Sequence, residues 1–390
     1  MSSPLHIVFA GGGTAVHLYP GLAVAAEVKA CLPDARITFV GGGRPVERHP
    51  VRAAGFDYVT IPSQPVPRNP FRAMRFITDN VAGYWASRWF LREQSASLVV
   101  GLGGYASAAA VRAATSRDIP AILLEQNAVP SHVTRWLARA ADIVCAGFDD
   151  VRAHLDSSMP LEITGNPARP AFVHAYHKRE AKCHQHAPTD ILAFPGVPGR
   201  RLVVIGGAGG ARTVNEFMPA ALHQLRDRLD GWQIVHQTGE GQLQQTIDRY
   251  SSAGVDALVV SFIDEMASLM FESDLVVCRA SGTTIAELAL AGVPAVLVPY
   301  PRDVEAYQLA NADTVAAAGA ATVIDETALD GTLDEALVEH LAPLLTDGVQ
   351  RQAMARKMQS LARPEAAALI TDSICSILGA ASAGSTRLAA

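Results

Sequence analysis

The stretch Val276–Gln308, VVCRASGTTIAELALAGVPAVLVPYPRDVEAYQ, decides the fold of this chain. Short apolar runs at Leu275–Cys278 and Ala295–Val298 are typical of strands that are covered on both faces, as in a parallel sheet with helical crossovers. The residues between them predict a tight turn and then a helix from Thr283 to Leu290, ended by a glycine and a proline. The stretch therefore predicts a βαβ unit and an α/β fold.

The turn of this unit has the composition of an anion site. Ser281, Gly282, Thr283 and Thr284 place hydroxyls and backbone N–H groups at a helix N-terminus, which favours a diphosphate. Glu287 follows one turn later, and its carboxylate could accept hydrogen bonds from ribose hydroxyls. The alternative is an ordinary capped helix with a solvated glutamate in its first turns.

Composition indicates a globular protein of two domains. The 390 residues are 49% hydrophobic and 18% charged, and they exceed the usual single-domain size. They contain no apolar run long enough for a membrane span, and the N-terminus lacks the basic-then-apolar pattern of a signal peptide. The net charge of −6 argues against nucleic-acid binding, although residues 1–165 carry 15 Lys and Arg against 13 Asp and Glu. Five scattered cysteines are typical of a reduced, cytosolic protein.

The first motif, HIVFAGGGTAVHLYPGLAVA at residues 6–25, predicts a strand, a glycine-rich loop and a helix. Glycines let the backbone approach a phosphate, and His17, between the loop and the helix, could accept a proton near neutral pH. A structural alternative for His17 is a helix N-terminal residue bonded to the backbone. The dinucleotide fingerprint is not met, so a nicotinamide site is not expected.

Further strands are expected at residues 36–41, 58–61, 98–100, 121–125 and 142–146. The turn at Gly101–Ser107, GLGGYAS, is a second junction able to hold an anion. Glu125, Gln126 and Asn127 stand at the carboxyl end of another strand, the edge where open α/β sheets bind ligands. We expect these three junctions to share one rim.

The stretch Pro67–Arg92 predicts a helix that combines an apolar stripe with arginines. Such a helix can lie on anionic lipid. The alternative is that the stripe packs on the sheet. The residues expected at the membrane are Phe71, Arg72, Arg75, Trp85 and Trp89.

The second half restarts the pattern at Arg201–Arg212, RLVVIGGAGGAR, and continues with HQTGEG from His236 and FIDEM from Phe262. Residues 1–165 and 201–362 are expected to be two Rossmann-like domains that face a cleft, with residues 166–200 as a linker and 381–390 as a disordered tail. The histidines of the linker match no standard zinc spacing.

The motif set resembles the MurG family, the peptidoglycan N-acetylglucosaminyltransferases of glycosyltransferase family 28. The matching segments are GGTxxHxxPGLAVA, GxGGYxS, EQNAVP, GNPxR, GGxxGAR, HQTG, FIDxM, CRASGTTIAE and AGxPA, in the family's order over nearly the whole chain. The resemblance implies the GT-B fold, with a last helix near residues 363–380 that crosses back to the first domain. It also implies transfer of N-acetylglucosamine from its UDP donor to the 4-hydroxyl of the N-acetylmuramic acid of lipid I, giving lipid II.

The resemblance implies roles for individual residues. His17 matches the proposed general base. The UDP-N-acetylglucosamine site would comprise Thr14, Asn127, Arg169, Ala208, Ile263, Thr283, Thr284, Glu287 and Gln308. The acceptor's pyrophosphate would lie against Gly12, Gly13, Gly103, Gly104, Tyr105 and Ser107.

The implied reaction is a single inverting displacement that needs no metal or other cofactor, with helix dipoles and Arg169 in place of a cation. The implied location is the cytosolic face of the membrane, as a peripheral protein that meets its lipid acceptor there. The chain departs from the family at Ala15-Val16, where the family has two glycines, and at Ala208, where it has a serine. These departures leave two alternatives open: a related transferase with another acceptor, and a paralogue that binds the UDP-sugar without turnover.

Overall fold

The chain forms two compact units, Met1–Arg169 with Arg363–Ala390, and Pro170–Ala362. The computed structural model describes residues 4–12, 15–64, 73–182, 200–207, 210–301 and 306–388. Each unit has its own parallel sheet covered by helices on both faces, so the predicted α/β class with two Rossmann-like halves is confirmed.

The described residues of the first unit form a seven-stranded parallel sheet of order β3-β2-β1-β4-β5-β6-β7. Ile7 and Phe9 of the interior strand β1 point into one apolar layer, and Val8 and Ala10 into the other, because alternate side chains leave a strand on opposite faces. The strands are β1 (His6–Ala10), β2 (Arg36–Gly41), β3 (Asp57–Thr60), β4 (Leu98–Gly101), β5 (Ala121–Glu125), β6 (Ile143–Ala146) and β7 (Leu161–Ile163).

Helices cover this sheet on both sides. They are α1 (Ala15–Cys31), α2 (Pro45–Ala53), α3 (Ala73–Glu93), α4 (Gly104–Thr115) and α5 (His132–Leu137), with short 3₁₀ turns at Ala138–Ala140 and Asp149–His154. Helix α1 begins at Ala15, so His17 lies in its first turn rather than between loop and helix.

The described residues of the second unit form a six-stranded parallel sheet of order β10-β9-β8-β11-β12-β13. Its strands are β8 (Arg200–Ile205), β9 (Trp232–Gln237), β10 (Leu258–Val260), β11 (Leu275–Cys278), β12 (Ala295–Leu297) and β13 (Ala321–Val323). Its helices are α6 (Pro170–Lys182), α7 (Arg212–Gln224), α8 (Leu243–Ala253), α9 (Met266–Phe271), α10 (Gly282–Ala291), α11 (Tyr307–Ala317), α12 (Leu333–Thr346) and α13 (Gly348–Ser360), with a 3₁₀ turn at Arg226–Arg228. The βαβ unit predicted from Val276–Gln308 is β11-α10-β12.

The last helix, α14 (Ala366–Leu388), belongs to the first unit. Its Ile370, Ile374 and Leu378 are buried in the same layer as Ile7 and Phe9 of β1. The return of the chain to the first unit, which the family resemblance implies, is confirmed.

Two predicted irregular segments are corrected. The predicted linker 166–200 contains helix α6, in which Phe172 is buried and Arg179 donates hydrogen bonds to the carbonyls of Leu290 and Ala291 at the end of α10. The polar composition of this segment concealed the helix, because its buried contacts are few; residues 183–199 lie outside the described part. The predicted tail, in turn, continues α14 as far as Leu388, in keeping with its alanine content.

Candidate active site

Two glycine loops meet at the carboxyl edge of the first sheet, after the neighbouring strands β1 and β4. A Cβ atom on Gly11 would lie 2.7 Å from the carbonyl oxygen of Gly103, and one on Gly104 would lie 2.8 Å from that of Gly12. Only glycine allows the loops to approach so closely. The Gly101–Ser107 junction therefore adjoins the first motif, as the sequence predicted, although Gly13 and Thr14 lie outside the described residues.

His17 is held between these loops. Its ring donates a hydrogen bond to the carbonyl of Gly12, and a Cβ atom on Gly103 would lie 3.1 Å from its Cδ2. Burial lowers the pKa of His17 below the ordinary value of 6.5, against the opposing effect of the Gly12 hydrogen bond. The imidazole is therefore neutral at physiological pH and can accept a proton.

A cavity of about 220 Å³ opens beside His17. Two sets of residues line it: those of the glycine loops, and those that follow β2 and β3. The lining residues are Gly12, His17, Gly42, Arg44, Glu47, Ser63, Gln64, Gly104, Tyr105 and Ala106. Backbone donors and an arginine in one concave site suit an anionic ligand.

Ser107 differs from the other predicted acceptor residues. It is buried in the first turns of α4, outside the cavity lining, and its hydroxyl has no hydrogen-bond partner among the described residues. A Cβ atom on Gly101 would lie 2.8 Å from the Ser107 Oγ, so this side chain packs against β4. Its contact with the acceptor stays a prediction.

Glu125 organises the loop that contains Asn127. Its Oε1 accepts hydrogen bonds from the backbone N–H (3.0 Å) and the side-chain amide (3.2 Å) of Asn127, and its Oε2 accepts from Ser131 and Thr134. Burial raises the pKa of Glu125, although all these hydrogen bonds oppose the shift. Asn127, predicted near the transferred sugar, is thus oriented by Glu125.

Arg169, the predicted diphosphate clamp, is half-buried at the end of the first unit's long segment. Its guanidinium lies 5.9 Å from the ring centroid of Tyr19, within cation–π range. Tyr19 was not singled out from the sequence.

In the second unit, the turn after β11 is capped as its composition suggested. The Oγ of Ser281 accepts the backbone N–H of Thr284 at 3.2 Å and lies 2.8 Å from the Thr284 hydroxyl. That backbone N–H, predicted to face a diphosphate, is therefore engaged by the cap. The hydroxyls of Thr283 and Thr284 and the positive end of α10 remain at the predicted anion site.

The other predicted donor residues lie on elements of the same unit. Glu287 is buried on α10, and Ile263 is half-buried in the segment after β10. Gln308 lies in the first turn of α11, and its Oε1 accepts the backbone N–H of Tyr300 at 3.1 Å, so it also ties the loop after β12. Ala208 lies outside the described residues.

Gln237, at the end of β9, is a residue whose role the sequence did not reveal. Its side-chain amide accepts the N–H of Gly207 at 3.0 Å and donates to the carbonyls of Gly207 (3.1 Å) and Ser261 (3.0 Å). It therefore joins the glycine loop after β8 to the segment that contains Ile263. The HQTG motif that contains Gln237 was the available signal.

Arg279, directly after β11, anchors a second buried network. It forms an ion pair with Glu326 and donates to the carbonyls of Val298 and Pro299 (2.9 Å each) and to the Thr213 hydroxyl (3.0 Å). Arg279 thus holds the start of α7 and the loop after β12 around the turn that begins α10.

Helix α3 presents a continuous apolar stripe to solvent. Trp85 and Trp89 are 60% and 62% exposed, and Arg75 is exposed in the first turn of the same helix; Phe71 and Arg72 lie outside the described residues. The other exposed members of the stripe are Met74, Ile77 and Val81. Phe90 and Leu91 pack on the sheet instead, so the helix has one buried and one exposed apolar face.

Two features are absent from the described residues. None of their helices is long and apolar enough to cross a membrane. They also contain no cluster of three or more His, Cys, Asp or Glu side chains that could hold a metal ion.

The chain matches known proteins over nearly its whole length. The glycosyltransferase family 28 N-terminal domain matches residues 7–146, and the family 28 C-terminal domain matches residues 201–370. The UDP-N-acetylglucosamine–N-acetylmuramyl-(pentapeptide) pyrophosphoryl-undecaprenol N-acetylglucosamine transferase of Nitratidesulfovibrio vulgaris is 37% identical over 98% of this chain and 99% of its own length. The transferase of the same name from Geobacter metallireducens is 36% identical over 94% of this chain and 97% of its own.

Structural comparison agrees with these matches. The crystal structure of MurG from Acinetobacter baumannii superposes with a TM-score of 0.73 and 26% identity, covering 96% of this chain and 100% of that one. The chain therefore belongs to glycosyltransferase family 28 and, within it, to the MurG family of UDP-N-acetylglucosamine–N-acetylmuramyl-(pentapeptide) pyrophosphoryl-undecaprenol N-acetylglucosamine transferases.

Proposed function

We propose that this chain is a UDP-N-acetylglucosamine-dependent hexosyltransferase of peptidoglycan synthesis, which transfers N-acetylglucosamine to the 4-hydroxyl of the N-acetylmuramic acid of lipid I and so makes lipid II. The observation that carries the proposal is the neutral, fixed imidazole of His17 beside a cavity built from two glycine loops, in a chain of this family. Such a site supplies a base next to donors for a pyrophosphate.

On the acceptor side, His17 takes the proton of the attacking 4-hydroxyl. Its hydrogen bond to Gly12 uses one ring nitrogen as donor and leaves the other as acceptor. The acceptor's pyrophosphate lies against Gly12, Gly13, Gly103, Gly104 and Tyr105. Attack from the face opposite the leaving UDP inverts the anomeric carbon.

On the donor side, the leaving diphosphate is stabilised by the N-terminus of α10, with the Thr283 and Thr284 hydroxyls. Glu287 accepts hydrogen bonds from the ribose, and Ile263 lies beside the uracil. Gln308, in the first turn of α11, contacts the sugar.

The test is transfer of labelled N-acetylglucosamine from its UDP donor to a short-chain lipid I analogue. We expect product from the parent chain and a loss of about 10²–10⁴-fold in His17→Ala, the range for removal of a general base. His49→Ala, at an exposed histidine of α2, is the matched control and should retain full activity. Absence of product from the parent, or equal activity of His17→Ala and the parent, would refute the proposal.

We also propose that the stripe of α3 docks on the anionic cytosolic surface of the membrane, where the lipid acceptor resides. The exposed tryptophans enter the interface and Arg75 meets the headgroups. The sequence alternative, in which the whole stripe packs on the sheet, would leave no such face.

Co-sedimentation with phosphatidylglycerol vesicles tests this second proposal. Trp85→Ser with Trp89→Ser should weaken binding at least about tenfold, because each loses burial of a large apolar surface. Val349→Ser, at an apolar residue of α13 that is even more exposed (76%), should bind as the parent does. Equal binding by the tryptophan variant and the parent would disprove the docking surface.

A further inference from the structure

Glu47 is a buried carboxyl group in a helix whose other charged residues are exposed. Within α2 only Glu47 and Val51 are buried, and Glu47 is 1% exposed. Its Oε2 accepts the backbone N–H of Gly43 at 3.1 Å and the hydroxyl of Tyr58. Burial of a carboxyl group costs desolvation free energy. An apolar side chain such as the fully buried Val51 anchors α2 without that cost, so the burial of Glu47 calls for another explanation.

The Glu47 carboxyl group fills the space beneath the first glycine loop. A Cβ atom on Gly12 would lie 2.9 Å from its Cδ and 3.0 Å from its Oε1, and one on Gly41 would lie 2.8 Å from its Oε2. Tyr58 holds the carboxyl group by donating its hydroxyl proton to the Glu47 Oε2. The Tyr58 oxygen is itself held in place because it accepts the Gly43 N–H at 3.0 Å. Glu47, Tyr58 and Gly43 therefore form a closed triangle that supports Gly12.

Gly12 transmits this support to the site. Its carbonyl accepts the hydrogen bond from the His17 ring, and its backbone lines the cavity that Glu47 and His17 share. A shift of Gly12 moves the imidazole and the glycine loop together. Burial and the Glu47 contact both raise the pKa of Tyr58, so its hydroxyl keeps its proton and continues to donate.

We propose that Glu47 is a positioning residue for the acceptor half of the reaction, which sets the first glycine loop and, through Gly12, the orientation of His17. This inference rests on the proposed function, because it assumes that the acceptor occupies the cavity. Tyr58 acts through Glu47. Neither residue contacts the ribose or the uracil of the donor, which the proposed function assigns to Glu287 and Ile263 of the second unit.

Steady-state kinetics of the full chain with UDP-N-acetylglucosamine and the short-chain lipid I analogue test the inference. Glu47→Ala should raise the acceptor KM about tenfold and lower kcat about tenfold, each equal to about 1.4 kcal/mol, with the donor KM within about twofold of the parent. Tyr58→Phe should move the same two constants about threefold. Glu47→Gln should fall between Glu47→Ala and the parent, because a side-chain oxygen can still accept from Gly43 and Tyr58.

The control is Asp57→Asn, an exposed carboxyl group next to Tyr58 on β3, which should leave all constants unchanged. A folded Glu47→Ala with unchanged acceptor KM and kcat, or with both substrate KM values raised equally, would overturn the inference. If Glu47→Ala does not fold, Tyr58→Phe decides: an unchanged acceptor KM there also overturns it. If the parent chain transfers no sugar, the proposed function itself fails. If the parent is active and Glu47→Ala behaves like it, only the role of Glu47 fails.

Discussion

Replacement of Gln237 by leucine should weaken donor binding while the second unit stays folded. The side chain is 2% exposed and makes three hydrogen bonds, which join the glycine loop after β8 to the segment after β10. Leucine has a similar volume but makes none of them, and each buried group left without its partner costs about 1–3 kcal/mol. Gly207 is only half-buried, so water compensates part of this loss. We expect the free energy of unfolding to fall by about 2–3 kcal/mol and the KM for UDP-N-acetylglucosamine to rise about 10–100-fold.

Two measurements check this prediction: initial rates at varied donor with saturating acceptor, and urea unfolding of the transition that belongs to the second unit. Gln237→Glu should be at least as disruptive as leucine, because its buried carboxylate faces the two carbonyls and cannot donate to them. Gln244→Leu removes an exposed amide of α8 that donates to Asp248 at 2.9 Å, and should change stability by less than about 0.5 kcal/mol. A stable Gln237→Leu chain with the donor KM of the parent would show that this amide does not organise the donor loop.

Three further predictions concern single residues. Because burial lowers the pKa of His17, the acidic limb of the pH profile of kcat/KM should have its midpoint below pH 6.5. A midpoint above 6.5 would contradict this. Burial lowers the pKa of His236 to about 3, so on acidification the unfolded chain binds this proton before the folded chain does. The free energy of unfolding should therefore fall by up to about 1.4 kcal/mol per pH unit as the pH drops from 6.5 towards 3. Urea titrations should give a shallower pH dependence in His236→Gln, and equal slopes in the variant and the parent would exclude His236 as the cause. Ser281→Ala removes the cap of α10 and should destabilise the second unit by about 1 kcal/mol in thermal unfolding. Ser252→Ala, at an exposed serine, should have little effect. Equal losses of stability in the two variants would contradict a capping role for Ser281.

The strands and the turn chemistry were predictable from the sequence because both depend on local pattern. Strand β11 has the predicted bounds, because a strand buried on both faces is an uninterrupted apolar run in the sequence. Helix α10 is one residue longer at each end than predicted. The glycine loops and His17 were placed on one sheet edge for a similar reason, namely that parallel strands end on the same side.

The supporting residues were not predictable, because their roles depend on contacts between distant segments. Glu47 is separated from Gly12 by a whole βα unit, and in the sequence it cannot be told from an exposed glutamate in a first helical turn. Arg179 meets the end of α10 more than 100 residues later, so α6 was taken for a linker. The exposed stripe of α3 was ambiguous because periodicity shows that apolar residues share a face, but not what covers it.

The return of α14 to the first unit reverses the order in which the two halves can mature during translation. One of the two apolar layers of the first unit needs Ile370 and Ile374, which the ribosome adds only after all of Pro170–Ala362. At roughly 5–20 residues per second, those intervening residues take about 10–40 s to synthesise. The half that is made first is thus completed last, and throughout that interval the apolar groove that α14 will fill is open to chaperones on the nascent chain.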